Sequence, residues 1–485
     1  MKRTPVLALV PACVLLTVSL AAATGDGKIP VTTVSDAARK EFLQGRELAD
    51  NLRLADAIAH FDKAIALDPN FASAELARAN VAPTVKDFQL HLDRAVALSS
   101  KASEGERLAI LAAQAGSVGN AAKVREYLER SATLFPKDER AQFAVGAFYQ
   151  GQQELPKAIA AFKAAIAIAP EFPPAYNNLG YAYRTTGDYA GAEAAFKKYA
   201  ELIPNDPNPY DSYGELLMKL GRFDESMTQY RKALALDPHF IASRIGLAMN
   251  ALYTGKPEVA TSDLNELYNQ ARNDGERRQA LFVQAVVDAD QGKLDEAVHE
   301  AEQEFGIAER LGDAGAMTQD LNFKANILLG EGKADQALAT FEKAQQTTDG
   351  SNLSPAVKQA TRLFHHSNLA AVAIARNDLA TARAEADSFA QASAGNRNGF
   401  QIRLAHELAG RIALAAGQYD AAITELLQAN LQDPYNLYRL ALAYRGKGDA
   451  GNARDYAGQA AHWNSLPAIN YALVRTKALR LMEST

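Results

Sequence analysis

Apolar residues recur along this chain in short stretches at steps of three and four positions, the spacing of one face of an α-helix. The clearest stretch combines bulky and small residues at such steps: Tyr176, Leu179, Gly180 and Tyr183. The pattern breaks at Gly187, because glycine provides the backbone freedom that a tight turn needs, and it resumes at Ala192. It stops at Pro204, which cannot continue a helix. This stretch therefore predicts a helix, a turn and a second helix.

The predicted unit repeats every 34 residues in the middle of the chain. Four prolines keep that interval: Pro136, Pro170, Pro204 and Pro238. So do the small residues of the second helices: Ala158, Ala192, Ser226 and Ala260. The corresponding alanines then follow at less regular intervals: Ala297, Ala337, Ala382, Ala422 and Ala453. These columns predict about twelve helix pairs over residues 36–485, most regular at 139–240.

The central unit resembles a tetratricopeptide repeat. The resemblance is carried by Tyr176, Leu179, Gly180 and Tyr183, followed by Ala192, Phe196 and Pro204. It implies an all-α fold, an α-solenoid in which about twelve helix-turn-helix repeats form a right-handed superhelix around one continuous core. The stretch Pro207–Leu217 also resembles a group of exported bacterial tetratricopeptide proteins with no assigned activity. In this fold the first helix of each pair lines the concave face.

The first residues are predicted to be an export signal. Lys2 and Arg3 precede an apolar run over residues 6–20, and alanines at 21–23 form a small-residue cleavage site. An uncleaved membrane anchor is the alternative, since a spanning helix needs roughly 17–25 apolar residues. Lipid attachment at Cys13 is a second alternative. We therefore expect a signal peptide over 1–23, a linker over 24–35, and a mature protein that is periplasmic or secreted.

Composition narrows the classes of partner. Apolar residues make up 48% and charged residues 22% of the chain, so a buried core is expected. The net charge of −6 makes nucleic acid and anionic membranes poor partners, because both carry negative charge. Cys13 is the only cysteine, so a mature chain without its signal has no disulfide or thiolate metal site.

Polar segments and the chain end suggest further boundaries. Turn-forming residues cluster near 270–276 and 345–356, where we expect the array to bend. The stretch Pro467–Met482 is predicted to be a solvent-facing terminal helix, and Trp463, the single tryptophan, to pack near the C-terminus.

The sequence does not predict an enzyme, a cofactor or a metal. No Gly-Lys pair is followed by Ser or Thr, as a phosphate-binding loop requires, and the glycine-rich run 446–451 lies in a predicted helix-turn-helix and is interpreted as a turn. The adjacent histidines His365 and His366 point in different directions on a helix. The acidic pairs are interpreted as solvated helix positions: Glu300 with Glu304, and Asp288 with Asp290.

We expect a ligand on the concave face of the central repeats. Positions of the first helices that carry no packing role are free to contact a partner there: Asn177, Asn178, Tyr181, Arg184, Asp211 and Glu215. Tyrosine, asparagine and arginine suit a protein or peptide partner, because they offer an aromatic anchor, an amide and a fork for carboxylate. The alternative is a small-molecule or glycan-binding sensor of an envelope system, since the looser repeats after Ala260 leave room for a pocket.

Overall fold

A computed structural model describes residues 27–394 and 399–484. These residues form 25 α-helices and no β-strand. In chain order the helices are α1 (Asp36–Asp50), α2 (Leu54–Leu67), α3 (Ala72–Asn80), α4 (Val85–Leu98), α5 (Glu104–Ser117), α6 (Ala121–Leu134), α7 (Glu139–Gly151), α8 (Leu155–Ile168), α9 (Pro173–Thr186), α10 (Tyr189–Leu202), α11 (Asn208–Lys219), α12 (Phe223–Leu236), α13 (Ile241–Tyr253), α14 (Pro257–Asn269), α15 (Asp274–Asp290), α16 (Leu294–Leu311), α17 (Ala314–Glu331), α18 (Ala334–Asp349), α19 (Pro355–Ala375), α20 (Leu379–Ser393), α21 (Gly399–Ala415), α22 (Tyr419–Leu426), α23 (Pro434–Lys447), α24 (Ala450–Ala461) and α25 (Ile469–Ser484). None of the helices in this part of the chain is both long and apolar enough to cross a bilayer.

The helices form twelve consecutive pairs, and α25 follows the last pair. The unit of α9 and α10 shows how local sequence produces a pair. Gly187 adopts a left-handed φ of 82° and ends α9, and the side chain of Asp188 then caps α10 by accepting from the Gly191 N–H at 2.9 Å. The prediction of an all-α solenoid of about twelve helix pairs is confirmed.

Within the pairs, a small residue of the first helix faces a large ring of the second. A Cβ atom at Gly180 would lie 2.6 Å from the ring of Phe196, so only glycine allows this approach. The rings of this column, each four residues after the small residue of its second helix, are at most 1% exposed: Phe61, Phe162, Phe196, Tyr230 and Phe341. Burying one such ring stabilises the fold by about 1.5–3 kcal/mol. The residues that carry the repeat pattern are therefore packing residues.

The array curves back on itself, so that repeats about seven units apart contact each other. We call this line of contact the seam. The carbonyl of Gln152, after α7, faces Gly399 of α21, and the carbonyl of Thr185 accepts from Gln432 at 3.5 Å. Both contacts join residues that are 247 positions apart, or about seven repeats. Further along, Lys219 donates to the carbonyl of Trp463 at 2.7 Å. The seam therefore brings the C-terminal repeats against the central ones.

Helix α25 closes the seam, and it is not solvent-facing as the sequence suggested. Its inward side is buried: Tyr471, Ala472, Leu473, Val474, Ala478 and Leu481. Arg475 forms an ion pair with Asp290 of α15, and the Asp290 side chain is 1% exposed. The expectation that Asp288 and Asp290 are solvated was wrong, because both are buried: Asp290 pairs with Arg475 of α25, and Asp288 accepts from Gln284 at 2.6 Å.

Trp463 packs against the C-terminal helices, and its ring also covers Lys219 of the central α11. The Lys219 Nζ lies 3.2 Å from the centre of the indole ring. Sequence spacing did not reveal this second contact, since 244 residues separate the two positions.

Residues 27–34, inside the segment expected to be a linker, lie along the edge of the first repeats as a strap. Backbone N–H groups of the strap donate to one carboxylate in each of three successive repeats: Ile29 to Asp138 at 2.9 Å, Thr32 to Glu106 at 2.9 Å and Val34 to Asp68 at 3.3 Å. These acidic side chains lie at the starts of inner helices or just before them, so the strap fastens the N-terminal repeats to one another.

Candidate binding sites on the concave face

The six residues that the sequence proposed form a strip on α9 and α11, which we call the central strip. Three of them bind one another. The Tyr181 hydroxyl donates to Glu215 at 3.0 Å, Arg184 forms an ion pair with the same carboxylate, and the guanidinium lies 4.9 Å from the centre of the Tyr181 ring. Glu215 is only 7% exposed. These polar groups therefore satisfy each other across two repeats.

The other three residues of the central strip differ in their surroundings. Asp211 accepts from Ser243 of α13 at 2.7 Å, and burial raises the pKa of Asp211 to about 7. Asn178 donates back to the carbonyl of Pro174 at 3.0 Å. Asn177 has a buried side-chain oxygen without a partner in the described part of the chain. Because that oxygen is buried, a ligand reaches it only if the Asn177 side chain turns outward.

The seam lies beside the central strip. Lys219 is one helical turn after Glu215 on α11, and it is the residue that Trp463 covers. Burial, together with the charge of Arg184, lowers the pKa of Lys219 to about 7. The C-terminal part of the chain therefore occupies part of the central concave face.

A larger opening lies further along the same concave face. It is a cavity of about 650 Å³, lined by the inner helices α17, α19, α21, α23 and α25 and by the segment before α23. Its lining combines asparagines, arginines, acids and aromatic rings. We call it the C-terminal cavity. The first helix of each pair lines it, as the resemblance implied for this fold.

One glutamate organises the charged side of the C-terminal cavity. Glu407 of α21 lies 3.0 Å from Arg439 of α23 and 3.5 Å from Arg411 of its own helix. Asn436 also donates to Glu407 at 3.0 Å. Burial alone would raise the pKa of Glu407, but the charges of Arg439 and Arg411 outweigh it and lower the pKa. Glu407 is therefore a partly buried carboxylate, 14% exposed, that two arginines hold ionised.

A second acid, Asp433, shapes the end of the cavity. It accepts from the side chain of Asn470 on α25 at 2.8 Å and from the Tyr435 N–H at 2.9 Å. Burial, with the charge of Glu407, raises the pKa of Asp433. The ring of Tyr435 lies 4.1 Å from the guanidinium of Arg439. Asp433 thus positions α25 and the start of α23 against each other.

The sequence suggested a pocket after Ala260, but it did not identify the residues that line this cavity. Arg403, Glu407 and Arg411 follow one another at four-residue steps, which places them on one face of a helix. In the printed sequence such a run is typical of a solvated face. Arg439 and Asn470 lie on other helices, α23 and α25, and sequence spacing does not show that they meet this face.

The remaining candidate chemistry is structural in this fold. The expectation that Glu304 is solvated was wrong. It is 7% exposed, and burial followed by the charge of Asp320 raises its pKa to about 8. Arg278 bridges these two acids. The Nδ1 of His366 pairs with Glu385 at 2.7 Å, and no group of three metal-binding side chains occurs among the described residues. Gly448 ends α23 with a φ of 85°, so the glycine-rich run is a turn.

Comparisons with known proteins identify the repeat. Family models described as tetratricopeptide repeat match residues 149–207, 207–240 and 363–388. No curated protein matches the sequence.

Three solved structures illustrate the likeness to other repeat proteins. A tetratricopeptide repeat protein from Parabacteroides merdae is 17% identical over 54% of this chain and 98% of its own, with a TM-score of 0.39. YrrB, described as a TPR protein with an unusual peptide-binding site, is 17% identical over 37% of this chain and 91% of its own, with a TM-score of 0.27. A thermophilic TPR protein from Thermus thermophilus is 20% identical over 37% of this chain and 98% of its own, with a TM-score of 0.32.

Proposed function

On the premise that this chain is a tetratricopeptide repeat protein, we propose that it is a non-catalytic scaffold that binds a peptide segment of another protein in its C-terminal cavity. Repeats of this kind generally form interaction surfaces, and solenoid curvature creates extended concave ones. The observation that carries the proposal is the cavity of about 650 Å³ on the inner helices. Its size lies in the range of known ligand sites, roughly 300–1,000 Å³.

The side chains of the cavity suit a peptide. Asparagines enter it from four elements, and although each already makes one hydrogen bond within the chain, its amide has further donors or acceptors for a backbone: Asn326, Asn368, Asn430 and Asn470. Phe400, Tyr435 and Tyr438 add aromatic surface, which supports binding at many protein interfaces. The central strip is a second candidate surface for the same partner, and Asn177 is its residue with an unpaired buried oxygen.

A cavity-filling substitution tests the proposed site. Ala415 lines the cavity and is exposed, so a tryptophan there fills the space without disturbing the core. Peptides selected from a random library against the chain are expected to bind Ala415→Trp at least about tenfold more weakly, measured by fluorescence anisotropy. Ala421→Trp, on the exposed side of α22, is the matched control. Equal affinity in both variants would exclude the cavity.

The central strip is tested in parallel. Asn177→Ala removes the unpartnered oxygen while leaving the contacts of Tyr181 and Arg184 in place. Loss of binding in this variant with full binding in Ala415→Trp would move the site to the central strip.

A small molecule is the second candidate ligand, because the cavity lies among the less regular repeats after Ala260 and is bounded on one side by α25. A thermal-shift screen with glycans and metabolites tests it. A stabilising compound whose effect disappears in Ala415→Trp supports a sensor role, and a screen without such a compound argues for the peptide.

The proposed location is the bacterial cell envelope or the outside of the cell. It depends on the predicted signal at residues 1–23, which lies outside the described residues. Fusing residues 1–26 to a reporter that is active only after export tests it, and a reporter that stays inactive would contradict it.

A further inference from the structure

The C-terminal cavity has more positive than negative side chains. Three arginines line it, Arg403, Arg411 and Arg439, against two acids, Glu407 and Asp433. Glu407 lies between Arg411 and Arg439, so one carboxylate serves two guanidinium groups. Asp433 is engaged by Asn470 and the Tyr435 N–H instead. Neither acid therefore neutralises the whole cluster.

Of the two arginines beside Glu407, Arg411 makes fewer hydrogen bonds than Arg439. Its ion pair with Glu407 spans 3.5 Å, at the limit of a hydrogen bond, whereas Arg439 also donates to Asn436 at 2.6 Å. A guanidinium carries five N–H donors. The side chain of Arg411 is 17% exposed and the residue lines the cavity. Several of its donors are therefore available to a ligand.

Arg403 adds a second positive charge two helical turns before Arg411. It forms no ion pair among the described residues, and its Nε is buried without a partner. Burial lowers the pKa of Arg403, and no neighbouring acid counteracts that effect. Because a partly buried cation without a counter-charge costs free energy, the site favours a bound anion.

We propose that the C-terminal cavity selects peptides with carboxylate groups, which Arg411 and Arg403 bind. This proposal rests on the proposed function and names the chemistry of its ligand. Arginine is suited to the task, since its planar fork matches a carboxylate with two parallel hydrogen bonds. Glu407 keeps the Arg411 and Arg439 side chains in place, and the asparagines of the cavity bind the peptide backbone.

Three synthetic probes test this selectivity. The first is a labelled ten-residue peptide with alternating glutamate and alanine and an amidated C-terminus. The second has glutamine in place of glutamate, and the third is the glutamine peptide with a free C-terminal carboxylate. The glutamate peptide is expected to bind at least about tenfold more tightly than the amidated glutamine peptide, the effect of one or more ionic hydrogen bonds. Tighter binding of the third probe alone would assign the site to a chain terminus.

Two charge-removing variants test the residues. Arg411→Gln and Arg403→Gln are expected to lose the preference for glutamate, while Arg383→Gln, exposed on the outer helix α20, keeps it. Arg411→Lys retains the charge and is expected to keep part of the preference, which a purely structural role for the arginine does not explain. Circular dichroism confirms that each variant is folded.

The outcomes separate this inference from the proposed function. Equal binding of glutamate and glutamine peptides, both lost in Ala415→Trp, would overturn the carboxylate selectivity and leave peptide binding intact. A glutamate preference that is unchanged in both Arg411→Gln and Arg403→Gln would also overturn it. If no peptide from any source binds the chain, the proposed function itself fails.

Discussion

The ion pair between Arg475 and Asp290 predicts how firmly the last helix is held. The two side chains join α25 to α15, 185 residues away, and the Arg475 Nε lies 2.5 Å from an Asp290 oxygen. The Asp290 side chain is 1% exposed. Arg475→Met keeps most of the side-chain volume but leaves this carboxylate buried without its cation. Removing one partner of a buried pair costs about 3–5 kcal/mol.

This cost is expected to fall on α25 and not on the whole array. Because α25 is the last helix of the array, it can open with its own free energy while the pairs before it stay folded. Amide hydrogen exchange in α25 is expected to be faster in Arg475→Met by roughly two to four orders of magnitude. Exchange of α10, which lies away from α25, is expected to stay unchanged.

Two control variants test whether the Arg475–Asp290 pair holds α25 in place. Arg480→Met removes a charge from the exposed side of the same helix and is expected to leave exchange within about threefold of the starting protein. The double variant Asp290→Asn with Arg475→Met is expected to recover much of the loss, because no buried charge remains. If Arg475→Met and Arg480→Met exchange at the same rate, the pair does not hold α25.

Two other predictions concern the packing column and the seam. Gly180→Ala is expected to lower the free energy of unfolding by about 1 kcal/mol, since the clash with the Phe196 ring exceeds the gain in helix propensity. Gly306→Ala is expected to raise it by a similar amount, because nothing lies within 4 Å of its new methyl group; urea denaturation measures both. Trp463 fluorescence is expected to titrate with a midpoint near pH 7 and to lose this transition in Lys219→Met. Since the folded pKa of Lys219 is lowered from 10.5 to about 7, stability is expected to fall as the pH drops from about 10 to 7.

The regular parts of the fold could be predicted because they repeat. Equivalents of Gly180 and Phe196 recur at a fixed interval, so the same local packing position is visible several times in one chain. For the candidate site, the sequence predicted which helix face the residues share, but not their contacts. Tyr181 and Arg184 share one face of α9, but Glu215 and Ser212 of the next repeat already bind Tyr181. Sequence spacing identifies which residues share a helix face, not which partners compete for them.

The strap and the last helix were underestimated for a related reason. Residues 27–34 and α25 have no repeat signal, and both derive their structure from partners far along the chain, such as Glu106 for Thr32 and Asp290 for Arg475. A polar or mixed segment next to a repeat array is therefore easily interpreted as a linker or a solvated cap.

The secondary structure and the pairing of helices could be predicted from the sequence, because both depend on neighbours within one 34-residue unit. Two features are visible only in the folded chain: repeats about seven units apart touch, and Trp463 contacts Lys219. The tertiary structure also decided that Arg411, Arg439 and Asn470 meet in one cavity. These contacts arise because the rotation between neighbouring repeats adds up along the array. A small rotation at each repeat interface has no signature in any single unit, yet summed over about seven repeats it brings residues 247 positions apart into contact.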